Sequence, residues 1–268
     1  MDINDGKKEK VVVNIIDLTK IKPYRRIFRV CPKRYRNMLK KVPKHLVGSI
    51  ADPEKGKKCL EEDEVKTLLS GHVTIDEKID GGVLGLAWDG IRPLAVGKHS
   101  MVNYDHTYKK FYGLREWIYA NYDKISKIPL GWVVYGEWMR KRHNIPYDNL
   151  PNYFVGFDVF DGIIRNGFLD VIDRSIFLDS IGFAEVPFVY SGTNLGVEDI
   201  ICITEGVGGV NNKSRFNSKE VIEGLVIRND NGLIGKYVRR EFMESIEKNL
   251  INLPLVENTL ANMKLKNL

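Results

Sequence analysis

The stretch Ile75-Asp76-Glu77-Lys78-Ile79-Asp80-Gly81-Gly82 organises the fold, because it places a lysine on a glycine-rich turn between two strands. Alternating apolar residues before Lys78 predict one strand, and the apolar run 83–88 predicts the next. Glycine lets the backbone bend and carries no side chain, so a phosphate can approach this lysine closely. Taken alone, the stretch is also ordinary turn chemistry for a solvated, charged hairpin.

A lysine in this position could serve as a nucleophile only if its amine loses a proton. The ordinary pKa of a lysine is roughly 10.4, so at pH 7 a nearby cation or a bound metal would have to favour the neutral amine. Charged residues elsewhere in the chain would have to provide this environment or hold the metal.

Three further charged residues interrupt predicted strands. Glu137 lies in the aromatic run 132–138, Glu223 begins the strand at Gly224, and Lys236 lies within the run 233–238. An unpaired buried ion costs several kcal/mol, so charges inside apolar strands are candidates for a functional site. The alternative is that each points to solvent from a one-sided sheet.

Hairpins dominate the predicted secondary structure. Asp89-Gly90 and Asn231-Gly232 each separate two apolar runs, which is a strong hairpin signal. A helix is predicted from 170 to 178, and its inward residues are expected to be Ile172, Ile176 and Phe177. Strands and helices do not alternate regularly, so the predicted class is α+β, with mostly antiparallel sheets and flanking helices.

Composition narrows the class of protein. The 268 residues are 43% hydrophobic and 28% charged, which is typical of a globular protein. No apolar run approaches the roughly 20 residues needed to span a bilayer, and the amino terminus is too charged for a signal peptide, so we expect an intracellular location. Cys31, Cys59 and Cys202 lack Cys-x-x-Cys spacing, which argues against a disulfide framework and a zinc site.

Positive charge is concentrated near the amino terminus. Residues 20–58 contain fourteen Lys or Arg against two acids, a net +12, whereas the whole chain carries +6. Aromatic residues interleave with these cations, which suits a phosphate backbone with stacked bases, although a solvated basic face has the same composition. The expected nucleic-acid contacts are Arg25, Arg26, Arg29, Lys33, Arg34 and Arg36.

Five short motifs occur in order between residues 73 and 242. They are Glu77-Lys78-Ile79-Asp80-Gly81, Tyr135-Gly136-Glu137, Phe157-Asp158-Val159-Phe160, Glu223-Gly224-Leu225-Val226-Ile227 and Lys236-Tyr237-Val238-Arg239. Together they resemble motifs I, III, IIIa, IV and V of the covalent nucleotidyltransferase superfamily, and most of all the ATP-dependent RNA ligases of the RNA ligase 2-like branch. The resemblance implies a nucleotidyltransferase (ATP-grasp-like ligase) domain over residues 71–245. A basic segment, 1–70, would pack on or extend its core, and a helical tail, 246–268, would follow.

The resemblance also implies a three-step reaction that uses ATP and Mg²⁺ or Mn²⁺. Lys78 would attack the α-phosphate of ATP and retain AMP. The AMP would pass to a 5′-phosphate on RNA, and a 3′-hydroxyl would then displace it. Positioning and charge neutralisation supply most of the catalysis in such transfers.

Residue roles follow from the same resemblance. Lys78, Asp80 and Lys236 would be catalytic, and Asp80 and Glu223 would hold the metal. Phe157 would stack on adenine. The expected nucleotide contacts are Glu77, Lys78, Lys98, Glu137, Phe157, Glu223, Lys236 and Arg239.

The chain departs from the family pattern at three positions. DNA ligases usually carry Arg where this chain has Val83, which argues against a DNA ligase. Lys98 or His99 would replace an Arg of motif Ia, and Arg239 would replace the second lysine of motif V, where Val238 stands. The alternatives are an mRNA-capping-type guanylyltransferase, a DNA ligase, or a nucleic-acid-binding protein without turnover on the same scaffold.

Overall fold

The computed structural model describes residues 45–49 (backbone only), 60, 62–97, 101–105, 109–206, 212–217, 221–239, 242 and 256–264. Some residues with predicted roles lie outside these ranges, namely Arg25, Arg26, Arg29, Lys33, Arg34, Arg36 and Lys98.

Strands form most of the described structure. In chain order they are β1 (His45–Ser49), β2 (His72–Lys78), β3 (Gly82–Trp88), β4 (Pro93–Gly97), β5 (Met101–Val102), β6 (Trp132–Trp138), β7 (Phe154–Asp161), β8 (Gly167–Phe168), β9 (Ala184–Glu185), β10 (Phe188–Thr193), β11 (Gly224–Asn229) and β12 (Ile234–Val238). The helices are α1 (Glu62–Leu69), α2 (Leu114–Ala120), α3 (Tyr122–Ile125), α4 (Val171–Ile181), α5 (Val197–Glu205) and α6 (Ala261–Lys264).

The strands form two sheets. The first has the order β1-β12-β11-β2-β10, and the second has the order β5-β4-β3-β6-β7-β8, with β9 pairing with β7. The pairings are antiparallel except for β1 with β12 and β9 with β7. Lys78 is the last residue of β2, so it lies where the chain leaves the first sheet for the second.

Both predicted hairpins are present. Asp89-Gly90 lies in the turn between β3 and β4, and Asn231-Gly232 lies in the turn between β11 and β12. Gly90 has φ 94° and Gly232 has φ 76°, values that glycine adopts without steric cost. The predicted class, α+β with mostly antiparallel sheets, is confirmed.

Each sheet buries one apolar face against helices. The first sheet packs Val73, Ile75 and Leu225 against Leu68 of α1 and Ile200 of α5. The core of the second sheet lies around its residues Leu84, Leu86, Val134 and Trp138 and around Trp117 and Ile118 of α2. Since side chains alternate along a strand, Asp76 and Lys78 of β2 and Arg228 of β11 lie on the other face of the first sheet, toward the second sheet.

The inward face of α4 differs from its prediction. Ile172 is 73% exposed and Ile176 is 64% exposed, whereas Arg174 is buried, so the prediction for these two isoleucines was wrong. Phe177 does pack against the core. The physical reason is that Arg174 finds carboxylate partners in the interior, which a count of apolar residues does not anticipate.

The described part of the predicted tail is only partly helical. Residues 256–260 include isolated bridges to the loop after β6, and helix α6 covers Ala261–Lys264. The division into segment, domain and tail stays a prediction. No helix in the described ranges is long and apolar enough to cross a bilayer.

Candidate active site

Lys78 contacts a carboxylate on the neighbouring strand. Its Nζ donates a hydrogen bond to Glu223 Oε1. Glu223 immediately precedes β11, and the first residue of that strand, Gly224, is paired with Lys78 of β2. On its other side β11 lies close to β12, because a Cβ on Gly224 would overlap the carbonyl oxygen of Tyr237. The Lys78 side chain is 24% exposed and that of Glu223 only 6%, so the amine lies at the mouth of the site.

Glu137 adds a second carboxylate from the other sheet. It lies on β6, and its Oε1 accepts a hydrogen bond from the backbone N–H of Gly81 at 3.2 Å. Burial raises the pKa of Glu137 to about 8, with the charges of Asp80 and Glu223 adding to the effect and Lys78 opposing it. This carboxyl group is therefore easily protonated near neutral pH.

The carboxylates in turn hold the lysine in its charged form. Burial disfavours the ammonium, but the charges of Glu223, Glu137 and Asp80 outweigh burial and raise the pKa of Lys78. In the nucleotide-free protein the amine is thus protonated at pH 7. Its use as a nucleophile requires that cations offset these carboxylates.

Asp80 is fixed to the loop that follows β6. Its Oδ2 accepts hydrogen bonds from Asn144 N (2.7 Å), Asn144 Nδ2 (3.2 Å) and Ile145 N (3.3 Å). Its own N–H donates to the buried hydroxyl of Tyr147 at 2.9 Å. The turn that carries Lys78 into the second sheet is therefore held by residues of the loop 139–150.

That loop is held by the segment 256–261. Asn258 is buried, and its side chain accepts from Tyr147 N at 2.9 Å and donates to Met139 O at 2.6 Å. Backbone bonds run from Thr259 N to Tyr147 O and from Ala261 N to Leu150 O, both at 2.9 Å. Hydrogen bonds thus connect this segment through Tyr147 to Asp80.

A buried ionic network joins the two sheets beside Lys78. Asp76, two residues before Lys78, accepts hydrogen bonds from Arg174 (2.9 Å) and Arg228 (2.5 Å). Arg228 also contacts Asp158 of β7 at 3.1 Å, and both arginines donate to the carbonyl oxygen of Phe157. The network therefore fixes the position of Phe157 relative to β2.

The family model described as RNA ligase matches residues 71–241. This chain belongs to the RNA ligase family. No match was found among curated protein sequences.

Solved structures of a Naegleria gruberi RNA ligase share the fold of this family member. The structure with PPi has a TM-score of 0.55 at 17% identity and covers 76% of this chain and 63% of that one. A variant with ATP and Mn has a TM-score of 0.54 at 16% identity, covering 78% and 64%. An apo variant has a TM-score of 0.52 at 17% identity, with the same coverage. The chain thus spans less than two thirds of the length of these ligases.

The fold brings some of the predicted site residues together. Lys78, Asp80, Glu137 and Glu223 lie close enough for each carboxylate to act on the pKa of the lysine. Burial raises the pKa of Glu223, whereas the charges of Lys78 and then Lys236 lower it, so Lys236 also lies within range. Its role stays a prediction, as do the roles of the other four.

Two other predicted contacts lie apart from the amine. Glu77 leaves β2 on the face opposite to Lys78, and its Oε2 accepts from Arg215 N at 3.2 Å. Burial raises the pKa of Glu77 to about 6, opposed by hydrogen bonds from the segment 214–215. The Arg239 side chain is buried, and its Nε lies 3.4 Å from Glu205 Oε2 on α5.

The residues present fit a divalent metal that is held partly by a nucleotide. Glu223 Oε2 is buried without a hydrogen-bond partner among the described residues, so it can accept a metal or a metal-bound water. Within those ranges no cluster of three or more acidic, His or Cys side chains forms a metal cage. Mg²⁺ commonly takes one or two carboxylates plus phosphate and water oxygens, which matches this sparse donor set.

Sequence reasoning missed several residues that build the site. Asp76 and Arg228 are charges inside apolar strands, the same signal that singled out Glu223, and could have been found by it. Tyr147 and Asn258 carry no such signal, because neither polar residue interrupts an apolar strand pattern.

Proposed function

We propose that this family member is an ATP-dependent RNA ligase that seals a 5′-phosphate to a 3′-hydroxyl through a lysyl-AMP intermediate. The observation that carries the proposal is the amine of Lys78, in contact with Glu223 and near Glu137, at the point where the chain passes from one sheet to the other. Structures of the Naegleria gruberi ligase contain ATP or AMP with Mn, and we infer the same nucleotide and a divalent metal for this chain.

The first step forms a bond between Lys78 Nζ and the α-phosphorus of ATP and breaks the bond from that phosphorus to the bridging oxygen of pyrophosphate. The amine gives up its proton before or during attack. In the second step an oxygen of the RNA 5′-phosphate displaces the lysine, which takes back a proton. In the third step the RNA 3′-hydroxyl attacks that 5′-phosphate, releases AMP and loses its proton to solvent or a nearby base.

Each charged residue has a role that fits its position. Lys236, whose charge reaches Glu223, would offset the carboxylates around Lys78 and face the α-phosphate. Glu137 would accept hydrogen bonds from ribose hydroxyls. Phe157 would stack on adenine. Its backbone carbonyl oxygen accepts hydrogen bonds from Arg174 and Arg228, which hold this part of β7 in place.

Glu223, together with Asp80, would hold the divalent metal. Bound there, the metal would neutralise phosphate charge and lower the cost of the free amine. Glu223 Oε2 is available to it, whereas Asp80 Oδ2 already accepts hydrogen bonds from the loop 139–150. We therefore propose Glu223 as the principal ligand.

Intact mass spectrometry after incubation with ATP and Mg²⁺ tests the proposal. We expect one added AMP, mapped to Lys78, and none in Lys78→Ala. The control Lys66→Ala removes an exposed lysine on α1 that pairs with Glu62, and it should retain the adduct. A parallel incubation with GTP separates a guanylyltransferase, and nicked substrates with RNA or DNA 3′-hydroxyls separate the ligases. An adduct on another residue, or none in the wild type, would contradict the proposal.

A further inference from the structure

A basic sequence follows β6 and passes directly beside Asp80. Residues 140–143 read Arg-Lys-Arg-His, and the next residue, Asn144, donates to Asp80 Oδ2 at 2.7 Å. These cations therefore lie close to the turn that begins at Lys78.

The first of these cations has a structural use. Arg140 Nε lies 3.3 Å from Glu257 Oε2, and its guanidinium lies 4.8 Å from the centre of the Tyr112 ring and 5.4 Å from that of Tyr153. It also packs tightly on Gly113, where a Cβ would be 2.0 Å from Arg140 Nη1. Arg140 therefore joins the segment 109–113 to the loop, and its charge is already compensated.

The segment 109–113 brings a further lysine to the same turn. The aliphatic chain of Lys110 lies over Gly82, where a Cβ would be 3.2 Å from Lys110 Cε. Lys110 is exposed, and its Nζ lies 5.2 Å from the centre of the Phe111 ring. Lys110 thus faces the turn from a different segment than residues 141–143.

The remaining cations have charge to spare. Among the residues with described positions, Lys110, Lys141 and Arg142 form no ion pair, and Arg142 Nε is buried without a hydrogen-bond partner. Burial lowers the pKa of His143, the charges of Lys141 and Lys110 lower it further, and Asp80 opposes them. His143, Lys141 and Lys110 therefore share one electrostatic environment near Asp80, and His143 offers a neutral N–H donor at pH 7.

We propose that Lys110, Lys141, Arg142 and His143, the basic rim, bind phosphates of the RNA strand whose 5′-end receives AMP. This inference deepens the proposed function and rests on it. Lys110 is exposed, Lys141 and Arg142 are partly exposed, and none of the three forms an ion pair with a described residue. Such cations match the backbone of a nucleic acid, which binds mainly through neutralised phosphates. The triphosphate of ATP is the other source of phosphate, but the nucleotide already has Lys236 and Glu223 on β12 and beside β11. The basic rim comes from other segments, 109–113 and 141–143.

The rim is presented rigidly, which favours a binding surface over a solvated loop. Arg142 N donates to Val256 O at 2.8 Å, and the backbone of Lys141 forms an isolated antiparallel β-bridge with that of Glu257. Asp80 holds the other end of the run through Asn144 and Ile145. Fixed cations lose less conformational entropy on binding than mobile ones.

The test uses the double variant Lys110→Ala/Lys141→Ala and the control Lys66→Ala, which removes a lysine from α1 on the far side of the first sheet. Binding of a 5′-phosphorylated single-stranded RNA is measured without ATP by fluorescence anisotropy between 50 and 200 mM salt. Each removed phosphate contact should reduce the slope of log affinity against log salt by about 0.7. Over this range the factor by which affinity falls should therefore be about seven times smaller for the double variant than for the wild type. The control should follow the wild type.

Two further rates identify the source of the phosphate. In the double variant we expect lysyl-AMP formation from ATP at the wild-type rate and slower AMP transfer to RNA at subsaturating RNA. An unchanged salt slope would overturn the proposal, and so would a higher ATP requirement with normal RNA transfer, which would assign the rim to the triphosphate. If the wild type forms no lysyl-AMP, the proposed function fails, whereas the salt slope still tests the rim.

Discussion

Replacing Asn258 with leucine should impair the chemistry of Lys78 through two intervening contacts. Leucine has a similar volume but cannot accept from Tyr147 N or donate to Met139 O. Tyr147 would then lose part of its support, and its hydroxyl accepts a hydrogen bond from the N–H of Asp80, two residues from the proposed nucleophile Lys78. Asn258 is thus a positioning residue, since it acts on the lysine through Tyr147 and Met139 rather than by direct contact.

The magnitude follows from the groups left unpaired. One buried N–H and one buried C=O would lose their partner, at about 1–3 kcal/mol each. The expected loss in the free energy of unfolding is therefore roughly 2–6 kcal/mol. A displacement of about 1 Å at a reacting group can cost about 100-fold in rate, so we expect lysyl-AMP formation to slow by about 10- to 100-fold.

The matched control is Asn229→Leu. Asn229, the last residue of β11, is equally buried. Its side chain donates to Thr67 O on α1 and accepts from Asn231 N and Leu233 N in the turn that follows. Denaturant unfolding should show comparable destabilisation of the two variants. Single-turnover lysyl-AMP formation, measured where both are fully folded, should be slow only in Asn258→Leu.

Hydrogen exchange provides a readout that does not depend on activity. Peptides covering 79–81 and 144–147 should exchange faster in Asn258→Leu than in Asn229→Leu. Equal rates of lysyl-AMP formation in the two folded variants, with equal protection of these peptides, would refute the positioning role.

Three other substitutions probe the framework of the site. Asp76→Ala removes the shared partner of two buried arginines, so denaturant unfolding should show a loss of about 3–5 kcal/mol in stability. The control Arg165→Ala breaks exposed ion pairs and should cost less than about 1 kcal/mol. Gly224→Ala places a Cβ against the carbonyl oxygen of Tyr237 and should cost about 1–3 kcal/mol, and a wild-type melting temperature would contradict this contact. Phe157→Ala should weaken ATP binding by about 1–3 kcal/mol in calorimetry, and unchanged affinity would remove its stacking role.

The sequence anticipated the polar centre of the site because charges inside apolar strands are costly. That rule singled out Lys78, Glu137 and Glu223, and the structure places them together. The same rule applies to Asp76 and Arg228, which turn out to pair with each other in the interior. The hairpin signals likewise predicted the turns between β3 and β4 and between β11 and β12.

Other parts of the site could not be predicted because their contacts cross long stretches of sequence. Tyr147 lies 67 residues from Asp80 and 111 residues from Asn258, and no periodic pattern links them. Arg174 faces inward on a helix whose isoleucines face outward, since ion pairing decides its burial more than hydrophobicity. Such positions become evident only when the strands have a known register.

The contact between Tyr147 and Asn258 has a consequence for synthesis. The ribosome adds about 5–20 residues per second, so the 111 residues between them take about 5–20 s to make. Throughout that interval the nascent chain carries Lys78, the proposed nucleophile, on a turn whose brace, the segment 256–261, has not been translated. We expect a nascent chain of this length to acquire nucleotide only after the brace has emerged and docked, which delays self-modification until translation has passed Asn258.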